Sequence, residues 1–407
     1  MNKLVHILCL FGATVLIGCS GQGQRPSTAT EKLVTDDQLI VAALQRLEKG
    51  LAITPDSNQI PRAVEHDGSI RGVKSSDWTS GFFPGNLWLA YGYTNDPRYR
   101  EQAEKWTAFI EKEKHNNRTH DMGFKVNCSF GQGYALTQNP HYKAVLIKSA
   151  ETLMTRYNPK IGSLRSWDHN RDKWEFPVII DNMLNLELLF LATRFTGDSS
   201  FYKVAHQHAL TTMQHHFRSD YSTFHVVDYD PVTGKVKSKA THQGYADGSS
   251  WARGQAWALY GYTMAYRETG DKRFLELAEN IGQFILNHKN LPADMVPYWD
   301  FDAPNIPDAP RDASAAAVIA SAFYELSTYS AAHTARFKTA ADQIMAALSS
   351  DAYLVPATAS HPFILRHSTG NLPKNDEIDV PISYADYYYL EALLRKKNGF
   401  TGPLSAF

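Results

Sequence analysis

The sequence predicts an all-α protein, a closed (α/α)6 barrel in which about six helical hairpins stand in a ring. Three observations carry this: a weak internal repeat, segments that are apolar on nearly every side, and long irregular stretches between the helix pairs. In the repeat, Thr94-Asn95-Asp96, Thr137-Gln138-Asn139, Thr196-Gly197-Asp198 and Thr269-Gly270-Asp271 share one setting. Each follows a stretch rich in aromatics or Leu and is soon followed by Tyr or Phe, at Tyr99, Tyr142, Phe201 and Phe274. Gly, Asn and Asp at such points stop one helix and restart the next.

The helices after these points are amphipathic. From Arg273 to Ile285, Phe274, Leu277, Ala278, Ile281, Phe284 and Ile285 recur at helical spacing. Leu186 to Phe195 and Trp257 to Tyr266 are instead apolar over most of their surface, as expected of helices buried on several sides. Further copies are expected at Ser327 and before Ala385. Residues 116–129, 161–177, 219–250 and 291–313 read as irregular connections. If they emerge on one side of the ring they build a deep pocket there. No period-two series comparable to the helical pattern stands out.

Residues 1–19 have the form of a lipoprotein export signal. Lys3 gives a positive start, Leu4 to Ile17 a mostly apolar stretch, and Leu16-Ile17-Gly18-Cys19 a lipobox-like end. The stretch is short of the ~20 residues a membrane span needs, so a cleaved signal with lipid attached at Cys19 is expected. Residues 20–34, rich in Gly, Gln, Ser and Thr, read as a tether, and residues 35–407 as the barrel domain. The expected protein is exported and membrane-bound only through its lipid, facing the periplasm, and monomeric. Without Cys9 and Cys19, Cys128 stands alone, which excludes a disulfide framework or a Cys-based zinc site. A formal charge of -1 gives no global field for nucleic acid or an anionic membrane, so an acidic ligand needs a local site.

No metalloprotease, P-loop or dinucleotide motif is present, and neither metal nor organic cofactor is expected. His206, His208, His215 and His216 share one predicted helix, but His-x-His spacing does not put both rings on one face. Two acidic positions stand out. Asp121 lies in His120-Asp121-Met122-Gly123-Phe124, and Asp181 sits among apolar residues in Val178-Ile179-Ile180-Asp181-Asn182-Met183. Burial raises a carboxyl pKa, which suits a general acid near neutrality, yet either Asp could equally cap a helix. A third cluster runs from Thr241-His242-Gln243-Gly244 to Trp257. Within it Arg253 and Trp257, four apart, share a helical face that could hold an oxyanion and a sugar ring together, or form a structural stack.

These stretches, in this order, resemble glycoside hydrolase family 88, the unsaturated glucuronyl hydrolases. The resemblance extends to Asp77-Trp78-Thr79-Ser80-Gly81, Phe224-His225-Val226-Val227-Asp228, Pro297-Tyr298-Trp299-Asp300-Phe301 and Tyr384-Ala385-Asp386-Tyr387, covering nearly all the chain after the tether. It implies Asp181 as general acid/base and Asp121 as a second, supporting carboxylate. It also implies sugar contacts from Trp78, His225, Thr241, Gln243, Arg253 and Trp257. The implied substrate is a lyase-generated oligosaccharide ending in a C4=C5 unsaturated uronic acid. Alternatives are an unsaturated rhamnogalacturonyl hydrolase acting on pectin fragments, or a non-catalytic glycan-binding lipoprotein on the same scaffold. His367 to Asn371, with Lys374 beyond, is polar enough to contact a sulfate.

Overall fold

The four repeated triplets are the corners at which the chain doubles back. The computed structural model describes residues 35–399, so Cys19, the expected signal and the tether lie outside the described residues. At each corner the Thr hydroxyl donates to the carbonyl four residues earlier, at 2.8 Å for Thr94, 2.6 Å for Thr137, 2.8 Å for Thr196 and 2.7 Å for Thr269. It also accepts the N–H two residues on, at 3.1–3.3 Å. Asp96, Asn139, Asp198 and Asp271 then cap the next helix. The middle residue is left-handed each time (Asn95 φ 56°, Gln138 54°, Gly197 75°, Gly270 69°), a conformation most freely adopted by Gly and Asn.

The helices are α1 (Asp36–Leu47), α2 (Phe82–Thr94), α3 (Pro97–Ala108), a π-helix (Gly123–Gly131) continuing into α4 (Gln132–Thr137), and α5 (Pro140–Met154). There follow α6 (Asn182–Asn185), α7 (Glu187–Thr196), α8 (Ser199–His215), α9 (Ala252–Thr269) and α10 (Lys272–Asn287). The last are α11 (Ala313–Tyr329), α12 (Thr334–Leu348) and α13 (Ser383–Asn398). The inner ring consists of α2, the π-helix with α4, α6 with α7, α9, α11 and α13. Burial is unbroken over residues 252–265 of α9, 313–327 of α11 and 383–395 of α13. The outer helices bury one stripe only; α10 buries Phe274, Leu277, Ala278, Ile281, Gly282 and Ile285.

The ring closes where α13 packs between α11 and α2, with α1 outside it. The sixth hairpin is thus joined from the two ends of the described chain: the copy expected before Ala385 is an inner helix whose outer partner is α1. The fifth corner, between α11 and α12, turns at Ser330–His333 without the Thr-x-Asp pattern. Toward the far ends of the inner helices a buried ionic cluster ties the ring together. Arg267 pairs with Glu187 and with Glu325 at 2.6 Å, and Arg395 pairs with Glu325 at 2.9 Å.

Corners run from inner to outer helix, while the long connections all lead into the N-terminal ends of inner helices, so they gather on one rim. They are less irregular than the sequence suggests. Strand β1 (Ile60–Val64) pairs with β2 (Ile70–Val73), and β3 (Tyr157–Asn158) with β4 (Ser163–Leu164). The expectation of irregular chain at 161–177 and 219–250 is corrected chiefly by β5 (Phe176–Ile179), β6 (Val226–Tyr229) and β7 (Val236–Ala240), an antiparallel sheet. Both β5 and β6 are buried at every residue, which removes the alternation by which a strand is recognised.

Candidate active site

Asp181 and Asp121 are far apart in sequence, and a chain of backbone hydrogen bonds brings them to one pocket. His120 N–H donates to Ser166 O at 3.0 Å, and Ser166 N–H donates to Pro177 O on β5 at 2.8 Å. Strand β5 leads into Asp181, while Ile180 N–H donates to His225 O at 3.1 Å, so one more bond at the end of the β5–β6 pairing sets His225 beside Asp181. A π-helix starts two residues after Asp121, and such wide turns recur at functional sites.

The pocket, of about 280 Å³, opens on the rim of long connections. Its lining includes Trp78, Asp121, Asp181, Gln243 and Arg253, bringing five of the sequence-predicted residues together. Asp181 occupies the N-cap place of α6, but its side chain makes no capping bond. Its Oδ2 is buried without a hydrogen-bond partner in the protein. Burial pushes its carboxyl up to about 7; Arg253 opposes that shift, the nearby Asp121 adds to it, and the Trp257 indole N–H opposes it. That N–H acts at a distance, since Trp257 Nε1 has no partner within hydrogen-bond geometry. Asp121 does not cap a helix either. Its Oδ2 accepts from Thr119 Oγ1 at 2.7 Å, and its Oδ1 lies 3.2 Å from His120 Nε2.

His225 stands behind Asp181, with Nε2 3.7 Å from Asp181 Oδ2. Its Nδ1 accepts the backbone N–H groups of His242 and Gln243, both at 3.2 Å, which leaves the proton on Nε2, facing the carboxyl. Burial, then His242 and Arg253, hold the ring well below its usual pKa, so it is neutral. Arg253 forms the floor. It donates to Asp312 Oδ2 at 2.8 Å, to Thr369 O at 2.7 Å and to Gly370 O, with Trp251 and Tyr384 against its guanidinium. Gln243 Nε2 donates to Gly370 O at 3.1 Å. Trp78 is half-buried, its ring 5.0 Å from that of Tyr384, and leaves an aromatic wall open to the pocket.

Three of the expected sugar contacts lie outside the pocket lining: His225 behind Asp181, Trp257 and Thr241. Trp257 is wholly buried between Phe124 and Tyr388, a turn below Arg253 on α9, and offers no open face to a sugar. Thr241 does not line the pocket; its hydroxyl accepts Gly244 N–H at 2.8 Å and shapes the loop that carries Gln243. Helical spacing put Arg253 and Trp257 on one face, but that face runs down into the barrel. The sequence reading missed Arg62, Arg118, Trp167, His169 and Tyr384, which also line the pocket. Tyr384 sits in a stretch already singled out, whereas Arg62 on β1 carries no local signal. Lys374 does reach the pocket lining. Among the described residues no group of three or more His, Cys, Asp or Glu could hold a metal, and His208 and His216 of the predicted His-rich helix are single core residues.

Comparison with known proteins gives the arrangement its relatives. The model of Glycosyl Hydrolase Family 88 matches residues 56–350. An unsaturated glucuronyl hydrolase of Formosa agariphila is 51% identical over 403 residues, covering 98% of this chain and 99% of that protein. The crystal structure of an unsaturated glucuronyl hydrolase specific for heparin superposes with a TM-score of 0.86 at 45% identity, covering 90% of this chain and 100% of the other. That of the Bacillus sp. GL1 enzyme responsible for the degradation of glycosaminoglycan gives 0.85 at 33% identity, covering 91% and 99%.

Proposed function

The chain belongs to glycosyl hydrolase family 88, and from that premise we infer that Asp181 is its proton donor and Asp121 the supporting carboxylate. The enzyme is an unsaturated glucuronyl hydrolase: it removes the C4=C5 unsaturated uronic acid from the non-reducing end of glycosaminoglycan oligosaccharides. The observation that carries the assignment of Asp181 is its buried carboxyl, raised to about 7 on the wall of the pocket. Such a group is substantially protonated at neutral pH and is basic enough, once ionised, to take the proton back.

The C4=C5 bond, attached to the ring oxygen, is a vinyl ether. Asp181 protonates C4, and the positive charge is shared by C5 and the ring oxygen, facing the Asp121 carboxylate. Water adds to C5 while the Asp181 carboxylate takes its proton. The resulting hemiketal collapses, the bond from C5 to the ring oxygen breaks, and the hemiacetal left at C1 releases the remaining sugar. No displacement occurs at the anomeric carbon, so the carboxylate-separation rule for retaining and inverting enzymes does not apply. Neutral His225 keeps its Nε2–H toward Asp181 without adding a competing charge.

The test follows loss of the ultraviolet absorbance of the conjugated double bond on lyase-generated disaccharides of heparin, chondroitin and hyaluronan. In deuterated water the new C4 hydrogen is expected to be deuterium. Turnover of none of these disaccharides would overturn the reading. We also propose that the protein is a monomer exported to the periplasmic side and held there by lipid on Cys19. The Leu16-Ile17-Gly18-Cys19 sequence supports the anchor, and the charge of -1 argues against a second, electrostatic membrane contact.

A further inference from the structure

Beneath the pocket floor lies a charged group that no step above uses. Asp312, wholly buried, begins α11. Its Oδ2 accepts from Arg253 Nη1 at 2.8 Å. Its Oδ1 accepts from Ser314 N at 3.1 Å and Ser314 Oγ at 2.5 Å, with longer contacts of 3.4 Å from the N–H groups of Ala315 and Thr369. One carboxylate thus joins α9, the start of α11 and the turn at 369–370. Capping alone does not call for a charge, since Asn and Ser cap about as well as Asp. A fully buried carboxylate is costly unless it is paired. Its charge is spent on Arg253, which is itself only 1% exposed and acts on Asp181 through space across the pocket lining they share.

We propose that Asp312 is a positioning residue for the reaction: it fixes the guanidinium of Arg253 against the Thr369 and Gly370 carbonyls and offsets its charge on the side of the pocket that holds Asp181. The inference rests on the reading of Asp181 as proton donor. The charged and titratable groups facing Asp181 are Arg253 from α9, Asp121 from the segment before the π-helix, and His225 just before β6. Behind Arg253 stand Asp312 and Tyr384. Removing the charge of Asp312 leaves Arg253 uncompensated, and a bare cation favours the ionised form of Asp181.

Asp312→Asn and Asp312→Ser both retain a capping side chain. In each, the alkaline limb of the kcat/KM profile should move to lower pH by roughly half a unit or more, about a threefold loss above the limb relative to the acid plateau. Ser314→Ala removes a hydrogen bond to the same carboxylate but keeps the ion pair; its melting temperature should fall while the limb stays. An unmoved limb in the Asp312 variants, or an equal shift in Ser314→Ala, overturns the proposal. So does failure of both Asp312 variants to fold when Ser314→Ala folds, because the charge then serves folding. Asp181→Asn, run in parallel, separates the two readings. If it is inactive while the Asp312 limb is unmoved, only the role of Asp312 fails; if it is active, the underlying assignment fails.

Discussion

Asp181→Asn should make the protein more stable while making it inactive, with a gain that depends on pH in a calculable way. The carboxyl titrates at about 7 in the fold against an ordinary value of 3.8. Each unit of difference is worth about 1.4 kcal/mol, so about three units amount to about 4 kcal/mol. The sign follows from proton binding. The folded state holds the proton up to about 7, whereas the unfolded chain releases it near 3.8, so rising pH favours the unfolded chain throughout that window. The cost of ionising Asp181 is therefore about 0.5 kcal/mol at pH ~4, about 1.5 at pH ~5, and levels off near 4 above pH ~7. Asn has the same shape and no charge to desolvate, so the variant escapes this cost. At ~2.1 cal/mol/K per residue, about 4 kcal/mol in a chain of this length shifts Tm by roughly 5 °C. Differential scanning fluorimetry of both proteins across that pH range should show curves that nearly meet at the acid end and diverge toward neutrality. In the ultraviolet assay kcat should fall by roughly 10²–10⁴-fold or more. A Tm difference independent of pH, or a variant less stable at pH ~8, would refute the burial argument, and near-normal kcat would refute the role in catalysis.

Trp257→Ala should cost about 3–5 kcal/mol, because it empties a wholly buried site; denaturant unfolding checks this. Trp257→Phe, which keeps an aromatic ring but loses the indole N–H that lowers the Asp181 pKa, should shift the alkaline limb of kcat/KM to higher pH. Gly81→Ala would place a Cβ 2.3 Å from the carbonyl oxygens of Phe124 and Lys125. It should cost about 1–3 kcal/mol in unfolding experiments, and reduce kcat, because the displaced Lys125 N–H is bonded to Asp121 O at 3.1 Å. Cys19→Ser should release the protein from the membrane fraction with activity intact, and continued retention on fractionation would exclude the lipid anchor.

Much of the fold was legible because its corners are local. A Thr that bonds back four residues, a left-handed residue and an Asp or Asn that caps the next helix all lie within one triplet, so four of the six hairpins could be read directly. The amphipathic outer helices and all-apolar inner ones follow from periodicity in the same way. The β5-β6-β7 sheet was not legible: strands of four or five residues, two of them buried on both faces, leave no alternation to detect. Nor was the pairing of α13 with α1, since contacts between the two ends of the described chain have no spacing signature.

In the site, the sequence by itself determined which chemistry was available: Asp121 and Asp181 in apolar or aromatic settings, an Arg four residues before a Trp, and no motif for metal or nucleotide. It left open whether the two Asp residues capped helices, because a capping carboxylate and a functional one have the same neighbours in sequence. Only the tertiary structure decided that neither side chain caps. It set Asp181 in a buried wall beside His225, turned Trp257 into the core rather than the pocket, and placed Asp312 under Arg253. The physical reason is that pocket geometry and pKa depend on the summed desolvation and charge of groups far apart in sequence, which meet only when the ring closes.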